Sequence, residues 1–269
     1  MSTAPTAAPR GAVAPAALRE FGYWLHRYRR TWRGTVVVSV ANPLLFLAAM
    51  GVSLGRLVDR GGSAYLHGTP YLSFFAPGLL AAAAMQNAFV DSAGPVFQSA
   101  RQRGNYRAAA ATSMRPADIL VGHLLFMAFR LATSALAFLV VVVACGAVPW
   151  QRSLLLLPAA VLTGMAFAAP LAAWAVTVTR ITRLNGVFRF VVLPLYMFSG
   201  TFYSTSQLPG WLHAAVSVTP LYQGVQLCRG IALGTATAAD SGVHVLYLLT
   251  MAAVGLLVGV RTYTRQLHS

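Results

Sequence analysis

Six apolar runs, each about 20 residues long or slightly longer, take up most of this chain and constrain its fold more than any other feature. They cover about 35–54, 71–90, 120–144, 154–178, 187–203 and 243–260. Runs of that length with hardly a charge read as transmembrane helices, because a helix satisfies its backbone N–H and C=O groups within hydrocarbon. Composition agrees: 57% of the 269 residues are hydrophobic and 9% are charged, against roughly a quarter charged in a soluble domain. The expected fold class is an all-α integral membrane protein with six spans.

The charge pattern orients those spans. The net charge of +15 comes entirely from arginine, with no lysine. Nucleic-acid binding is not indicated, since the arginines sit in short loops between apolar runs rather than on one face of a soluble domain. With the N-terminus inside, Arg10, Arg19, Arg27, Arg29, Arg30, Arg33, Arg101, Arg103, Arg107, Arg115, Arg180, Arg183, Arg189, Arg261 and Arg265 fall on the cytoplasmic side. Arg56, Arg60, Arg152 and Arg229 fall outside, and Arg130 lies within span 3. The positive-inside rule therefore predicts both termini in the cytoplasm. The missing lysine excludes a Walker A phosphate loop, so this chain carries no ATP site of that kind. It equally excludes a lysine Schiff base. Cys145 and Cys228 have no metal-ligand spacing and read as buried small apolar residues, with a disulfide left open.

The segments outside the spans differ from one another. Residues 1–15 are rich in Ala, Pro and Thr and lack the apolar core of a signal peptide, so a disordered tail is expected. In residues 16–34, Leu18, Phe21, Leu25, Tyr28 and Trp32 recur at helical spacing with Trp24 beside them. Arginines fill the rest, which predicts an amphipathic helix at the membrane interface. Between spans 5 and 6 the chain is too apolar for a solvated loop and too broken by Pro209, Gly210 and Pro220 for a span. A re-entrant helical hairpin over about 205–233, turning at Thr219-Pro220, is expected instead.

Residues 101–119 form the longest arginine-bearing interruption between two spans. The alanines Ala108–Ala111, and Pro116 at a helix start, predict a short stiff helix that leads into span 3. A solvated positive-inside loop is the plainer alternative. Within the spans polar groups are few, and each is a candidate by default. Asp91 and Arg130 both lie in the cytoplasmic third, where they either pair or leave Arg130 to snorkel. Gln86, Asn87 and His123 are the other groups that a polar patch at an inner substrate mouth would use, a structural role being the alternative for His123. Pro77-Gly78 suggests a bend in span 2. Gly51-x-x-x-Gly55 and Gly255-x-x-x-Gly259 suggest close helix packing, with dimerisation as the alternative.

Ser199-Gly200-Thr201-Phe202-Tyr203, Leu208-Pro209-Gly210-Trp211-Leu212, Thr219-Pro220-Leu221 and Arg229 resemble the carboxy-terminal pattern of ABC-2 type transporter permeases. The likeness is to the branch with nodulation-type lipo-oligosaccharide and daunorubicin-resistance-type drug exporters. Gly104-Asn105-Tyr106-Arg107 and Ala111-Thr112-Ser113-Met114-Arg115-Pro116 resemble that family's loop between spans 2 and 3. The resemblance implies a half-transporter in a bacterial cytoplasmic membrane, paired with a second permease chain and powered by a separate ATPase subunit that binds ATP and Mg. It implies that 16–34 is an interface helix, with Phe21, Trp24, Leu25, Tyr28 and Trp32 on it. It implies that Arg101, Gln102, Arg103, Gly104, Asn105, Tyr106, Arg107, Thr112 and Arg115 belong to a coupling helix. Pro209, Trp211, Pro220 and Arg229 would shape an outward hairpin. A stiff element suits such a role, since moving a two-state equilibrium from 1:99 to 99:1 takes about 5.5 kcal/mol of differential contact.

The substrate follows less directly. Apolar walls and the aromatics Phe74, Phe75, Trp174, Tyr196, Phe198, Phe202 and Tyr203 suit a hydrophobic or amphipathic molecule such as a drug, lipid or lipid-linked glycan. Asp91, Arg130, Gln86, Asn87, Phe198, Phe202 and Tyr203 are the expected path residues, with no metal site and no catalytic residue. The competing classes are a membrane scaffold and an intramembrane enzyme. The latter lacks a visible constellation, because Ser199 has no partnered histidine in the sequence pattern.

Overall fold

In a computed structural model the described residues are 13–36, 40–51, 70–203 and 209–267, and their regular secondary structure is entirely helical. The helices are α1 (Val13–Val36), α2 (Asn42–Ala49), α3 (Tyr71–Phe97), α4 (Asn105–Ala110), α5 (Pro116–Ala144), α6 (Trp150–Ala175), α7 (Ile181–Val187), α8 (Leu193–Phe198), α9 (Gly210–Ser217), α10 (Pro220–Leu233) and α11 (Ala238–Leu267). Single π-helical turns, Gln98–Gln102 and Phe188–Val192, extend α3 and join α7 to α8.

Among the described residues five helices are long and apolar enough to cross a membrane: Tyr71–Gln102, Pro116–Ala144, Trp150–Ala175, Ile181–Phe198 and Ala238–Leu267. The span expected at 35–54 falls partly outside the described residues, and α2 occupies its middle. The expected tail at 1–15 also lies largely outside them.

The helices run past the apolar segments that announced them. Tyr71–Gln102 has 32 residues, about 48 Å at 1.5 Å per residue, against a hydrocarbon core of about 30 Å. Helical hydrogen bonding propagates beyond the point where polarity begins, so charge marks where a helix leaves lipid rather than where it ends. The fifth expected span is displaced the other way. It starts at Ile181 and stops at Phe198, because Gly200 takes a left-handed φ of 79° and Ser199–Tyr203 is non-helical.

α6 is the hub of the fold, packing against α3, α5, α10 and α11. Lipid is as apolar as leucine and gives these helices no hydrophobic reason to associate, so close packing by small residues does the work. Ala81, Ala82 and Ala88 of α3 and Ala160, Ala166, Ala168 and Ala172 of α6 are fully enclosed. Gly255 and Gly259 of α11 abut Pro170 and Leu120, which makes that glycine pair a packing device within the chain. At Pro77-Gly78, where a bend was expected, α3 continues as helix through both residues. Gly78 lets Arg229 and Thr201 approach; a Cβ there would lie 3.0 Å from the guanidinium. Both cysteines are free; Cys228 is buried, but Cys145 is exposed, contrary to expectation, because it caps α5 at a turn.

Candidate functional site

The segment expected to be a coupling helix is shorter than its sequence suggested. Arg101 and Gln102 belong to the π turn that ends the α3 segment, and only Asn105–Ala110 forms a separate helix. Gly104, at φ 68°, reverses the chain into α4. Residues 111–113 turn, and Arg115 is extended because Pro116 follows it. The Thr112 hydroxyl donates to the Ala109 carbonyl at 2.6 Å, and the Asp118 carboxylate accepts from the Arg115 backbone N–H at 3.2 Å. Gln102, Arg103 and Arg107 point outward, while Arg101 donates to Gln266 Oε1 at 2.9 Å.

Two residues of α4 tie it to the rest of the protein by side-chain hydrogen bonds. Asn105 Nδ2 donates to the Tyr23 hydroxyl of α1 at 2.7 Å. Tyr106 is the one buried side chain of α4. Its hydroxyl shares a hydrogen bond of 2.5 Å with His123 Nδ1, and its ring lies 5.6 Å from that of Tyr263. Burial pushes the Tyr106 hydroxyl well above its ordinary pKa, so it stays protonated. On the other side of His123 the Trp24 indole is stacked, ring centroids 3.9 Å apart and planes 5° from parallel. Trp24 Nε1 donates to Glu20 Oε1 at 2.8 Å. Burial raises the pKa of Glu20, an effect that the indole bond opposes.

α1 meets α5 through a face that its hydrophobic stripe marked only in part, Phe21 and Tyr28 setting their rings against Phe126 and Phe129. Ala17, Glu20 and Trp24 are buried, whereas Leu18 and Trp32 are exposed, with Phe21, Leu25 and Tyr28 between. In a membrane both the lipid-facing and the protein-facing sides of a helix can be apolar, so the stripe does not distinguish them. The small residues do: a Cβ at Gly122 would sit 2.4 Å from the Ala17 carbonyl oxygen. Only glycine permits that approach.

Deeper along α3 and α5, Arg130 Nη2 and Asp91 Oδ1 form an ion pair at 3.1 Å, and Tyr28 of α1 covers the guanidinium with its ring centroid 5.1 Å away. One turn on, Asn87 Nδ2 donates to Ser134 Oγ at 2.9 Å. The two contacts are four residues apart on each helix, as antiparallel neighbours require. Asp91 Oδ2 is buried with no hydrogen-bond partner among the described residues. Gln86 turns away from this ladder into a cleft of about 470 Å³ between α2, α3 and α8, where Asn42, Phe46, Leu79 and Tyr196 also line the wall. Phe202 packs on Phe46 and Tyr196 behind that wall, 5.6 and 5.2 Å between centroids. Phe198 faces outward and Tyr203 is half-buried. The structure thus separates residues that the sequence grouped together.

At the opposite end of α3 stands the second buried arginine. Arg229, counted on the outer side and expected on the hairpin between spans 5 and 6, is buried on α10. Its Nη2 donates to the Gly200 carbonyl at 2.8 Å and its Nε to the Phe74 carbonyl at 3.3 Å. Its Cζ lies 3.8 Å from the Phe74 ring centroid. α10 has 14 residues, about 21 Å, too short to cross hydrocarbon about 30 Å thick. It is nonetheless enclosed by α3, α6 and α11. Thr219 caps it by accepting from the Tyr222 N–H at 3.4 Å, with Pro220 at its first position. α9 precedes it with Pro209 and Trp211 exposed.

Glu20, Asp118, Gly122, Ser134 and Tyr263 were not singled out in the sequence. Scarcity was the available signal for two of them, since the chain holds five acidic residues and Glu20 and Asp118 are both buried. Nothing in one sequence marks Gly122 or Tyr263.

Comparison with known proteins accords with this architecture. Residues 22–233 match the sequence profile of the ABC-2 type transporter family. The chain is 28% identical over 264 residues to Nodulation protein J of Rhizobium meliloti (strain 1021), covering 94% of this chain and 97% of that one. It is 30% identical to Nodulation protein J of Rhizobium leguminosarum bv. trifolii over 78% of this chain and 81% of that protein. It is 26% identical to the inner membrane transport permease YadH of Escherichia coli (strain K12), over 73% and 75% of the two chains. With its apolar helices packed around α6, the chain therefore belongs to the ABC-2 type transporter family, as a membrane-embedded permease subunit of an ABC transporter.

Proposed function

We propose that this permease exports an amphipathic or hydrophobic molecule, such as a drug, lipid or lipid-linked glycan, from the cytoplasm or inner leaflet of a bacterial cytoplasmic membrane. The observation that carries this reading is the cleft between α2, α3 and α8. Asn42, Gln86 and Tyr196 give it a polar wall, while Pro43, Leu45, Phe46 and Leu79 give it an apolar one. Such a lining receives a molecule with a headgroup and a tail, and among the described residues it has no carboxylate with which to hold a bare metal cation. The Asp91–Arg130 pair and the Asn87–Ser134 bond would form the inner polar mouth of the path. Both termini are read as cytoplasmic, and α9–α10 as a re-entrant pair that enters from outside. A second permease chain, identical or related, would complete the channel.

The energy would come from a separate ATPase subunit that holds ATP and Mg and seats against residues 101–115. Exposed Arg103, Arg107 and Arg115 present cations to such a partner. Co-expression with a candidate ABC ATPase from the same organism tests the reading. The pair should co-purify, and in proteoliposomes it should extrude a fluorescent nitrobenzoxadiazole-labelled phospholipid when ATP is supplied. Changing Tyr106 and Arg107 together to alanine should abolish both. Undiminished export and co-purification in that variant would remove these residues from the coupling role.

A further inference from the structure

Four buried side chains from four separate elements converge at the inner end of α5: Trp24 of α1, Tyr106 of α4, His123 of α5 and Tyr263 of α11. Trp24 and Tyr106 each make a ring contact with His123, and no ring contact joins them directly among the described residues. Resting on the proposed seating of an ATPase at 101–115, we infer that His123 is a positioning residue that locks α4 and α1 into one rigid lever, so that a push on the exposed helix moves the interface helix with it.

The deepest purchase of α4 on the fold is Tyr106, the one buried side chain among its six residues. Ala109 and Ala110 add shallow apolar packing and Asn105 an exposed bond to Tyr23, so a displacement of the helix passes inward chiefly through Tyr106. Tyr106 meets the edge of the imidazole through Nδ1; Trp24 meets its face. Imidazole suits the position because it offers a polar edge and a flat face at once. Phenylalanine would keep only the face, and asparagine only the edge. Gly122 removes the Cβ that would hold α1 away, and His123 Nε2 is buried without a hydrogen-bond partner among the described residues.

An orphaned buried donor or acceptor is destabilising. A ring kept only for packing gains nothing from that polarity, so a joint that needs both edge and face accounts for a histidine here better than packing does. One turn beyond Trp24, Tyr28 covers the guanidinium that pairs with Asp91. A moving α1 would therefore carry the cover of the inner polar pair along with it.

The test is a distance measurement with nitroxides at Arg30→Cys on α1 and Arg107→Cys on α4, both exposed, in a Cys145→Ala background. Double electron–electron resonance on the purified permease alone should give one narrow distribution. His123→Ala should broaden or split it, His123→Phe and His123→Asn should each do so partially, and Tyr106→Phe should act like His123→Phe. An unchanged narrow distribution in His123→Ala and Tyr106→Phe would overturn the inference.

A second arm uses the ATPase complex and the labelled phospholipid. Lipid extruded per ATP hydrolysed should fall by about fivefold or more in His123→Ala, the lower end of ordinary allosteric coupling, while co-purification stays intact. Equal lipid per ATP in that variant would overturn the coupling role. Failure of the wild-type chain to bind the ATPase would instead defeat the proposed seating at 101–115, and the distance arm, which needs no partner, would still decide whether the joint is rigid.

Discussion

The two buried arginines at opposite ends of α3 solve the same electrostatic problem in opposite ways. Arg130 is neutralised by a carboxylate on a neighbouring helix and covered by an aromatic ring from a third. Arg229 has no carboxylate partner among its described contacts; its hydrogen bonds run to the backbone carbonyls of Phe74, Gly200 and Thr201, with the Phe74 ring against its face. A carbonyl cage is built from backbone that cannot move without unwinding a helix end or turn. An ion pair joins two side chains that can part, each then left with a charge in a poor solvent. The carbonyl cage is thus an anchor that ties the start of α3 to the 199–201 turn and to α10. The ion pair is a contact able to be made and broken, and it lies beside the proposed substrate mouth.

Breaking the anchor should have the largest effect. Arg229→Ala leaves three carbonyls without their donor and a cavity beside Phe74, for a cost of about 3–5 kcal/mol. The chain should then fail to run as a monodisperse species in fluorescence-detected size exclusion. Arg229→Lys should recover only part of the yield, because an ammonium cannot bridge carbonyls set for a planar fork.

The ion pair should behave differently when its partners are removed singly and together. Arg130→Met alone strands the Asp91 charge and should cost about 3 kcal/mol in thermal stability. Asp91→Leu combined with Arg130→Met should return to within about 1 kcal/mol of the wild-type stability, yet lose phospholipid extrusion. A double variant as unstable as the single one would mean that Arg130 is held by something other than Asp91.

Glu20 sharpens the contrast with the smallest expected change. It is a buried carboxylate whose hydrogen-bond donor is the neutral Trp24 indole, and burial raises its pKa above the ordinary 4.5. A raised folded-state pKa means that the folded state holds the proton more tightly, so the stability it contributes is full below pH 4.5 and is lost as pH rises through the raised value. Relative to Glu20→Gln, the wild-type melting temperature should therefore fall between pH 4.5 and pH 8. Parallel pH profiles for the two proteins would show that Glu20 is not held in a desolvated site.

Much of the candidate site was legible residue by residue but not as an arrangement. Asp91, Arg130 and Asn87 stood out because polar groups are rare in apolar surroundings, and Tyr106 through the resemblance of its loop to the family's. That Asn87 and Asp91 face α5 while Gln86 faces α2 is also implicit in helical periodicity. The sequence offered no hint that His123 joins Trp24 to Tyr106, since those three residues come from three elements. Arg229 was expected on the hairpin between spans 5 and 6, but the carbonyls of Phe74 and Gly200 that hold it were not legible, because they come from distant parts of the chain. The six-residue length of α4 escaped because alanine-rich helix propensity says nothing about a left-handed Gly104 or an extended Arg115.

By itself the sequence determined that this is a helical membrane protein with several runs long enough to span, and that no lysine is present for a phosphate loop. Those properties depend on hydrophobicity summed over about 20 residues and on residue identity, and neither depends on which helices are neighbours. Only the tertiary structure decided which face of α1 is buried, which arginines are caged, and that α10 is enclosed although it is too short to span. In a lipid solvent, apolar side chains suit the lipid-facing and packed surfaces equally. The choice between them falls to small residues such as Ala17 and Gly122 and to a few polar partners, whose meaning appears only when the helices come together.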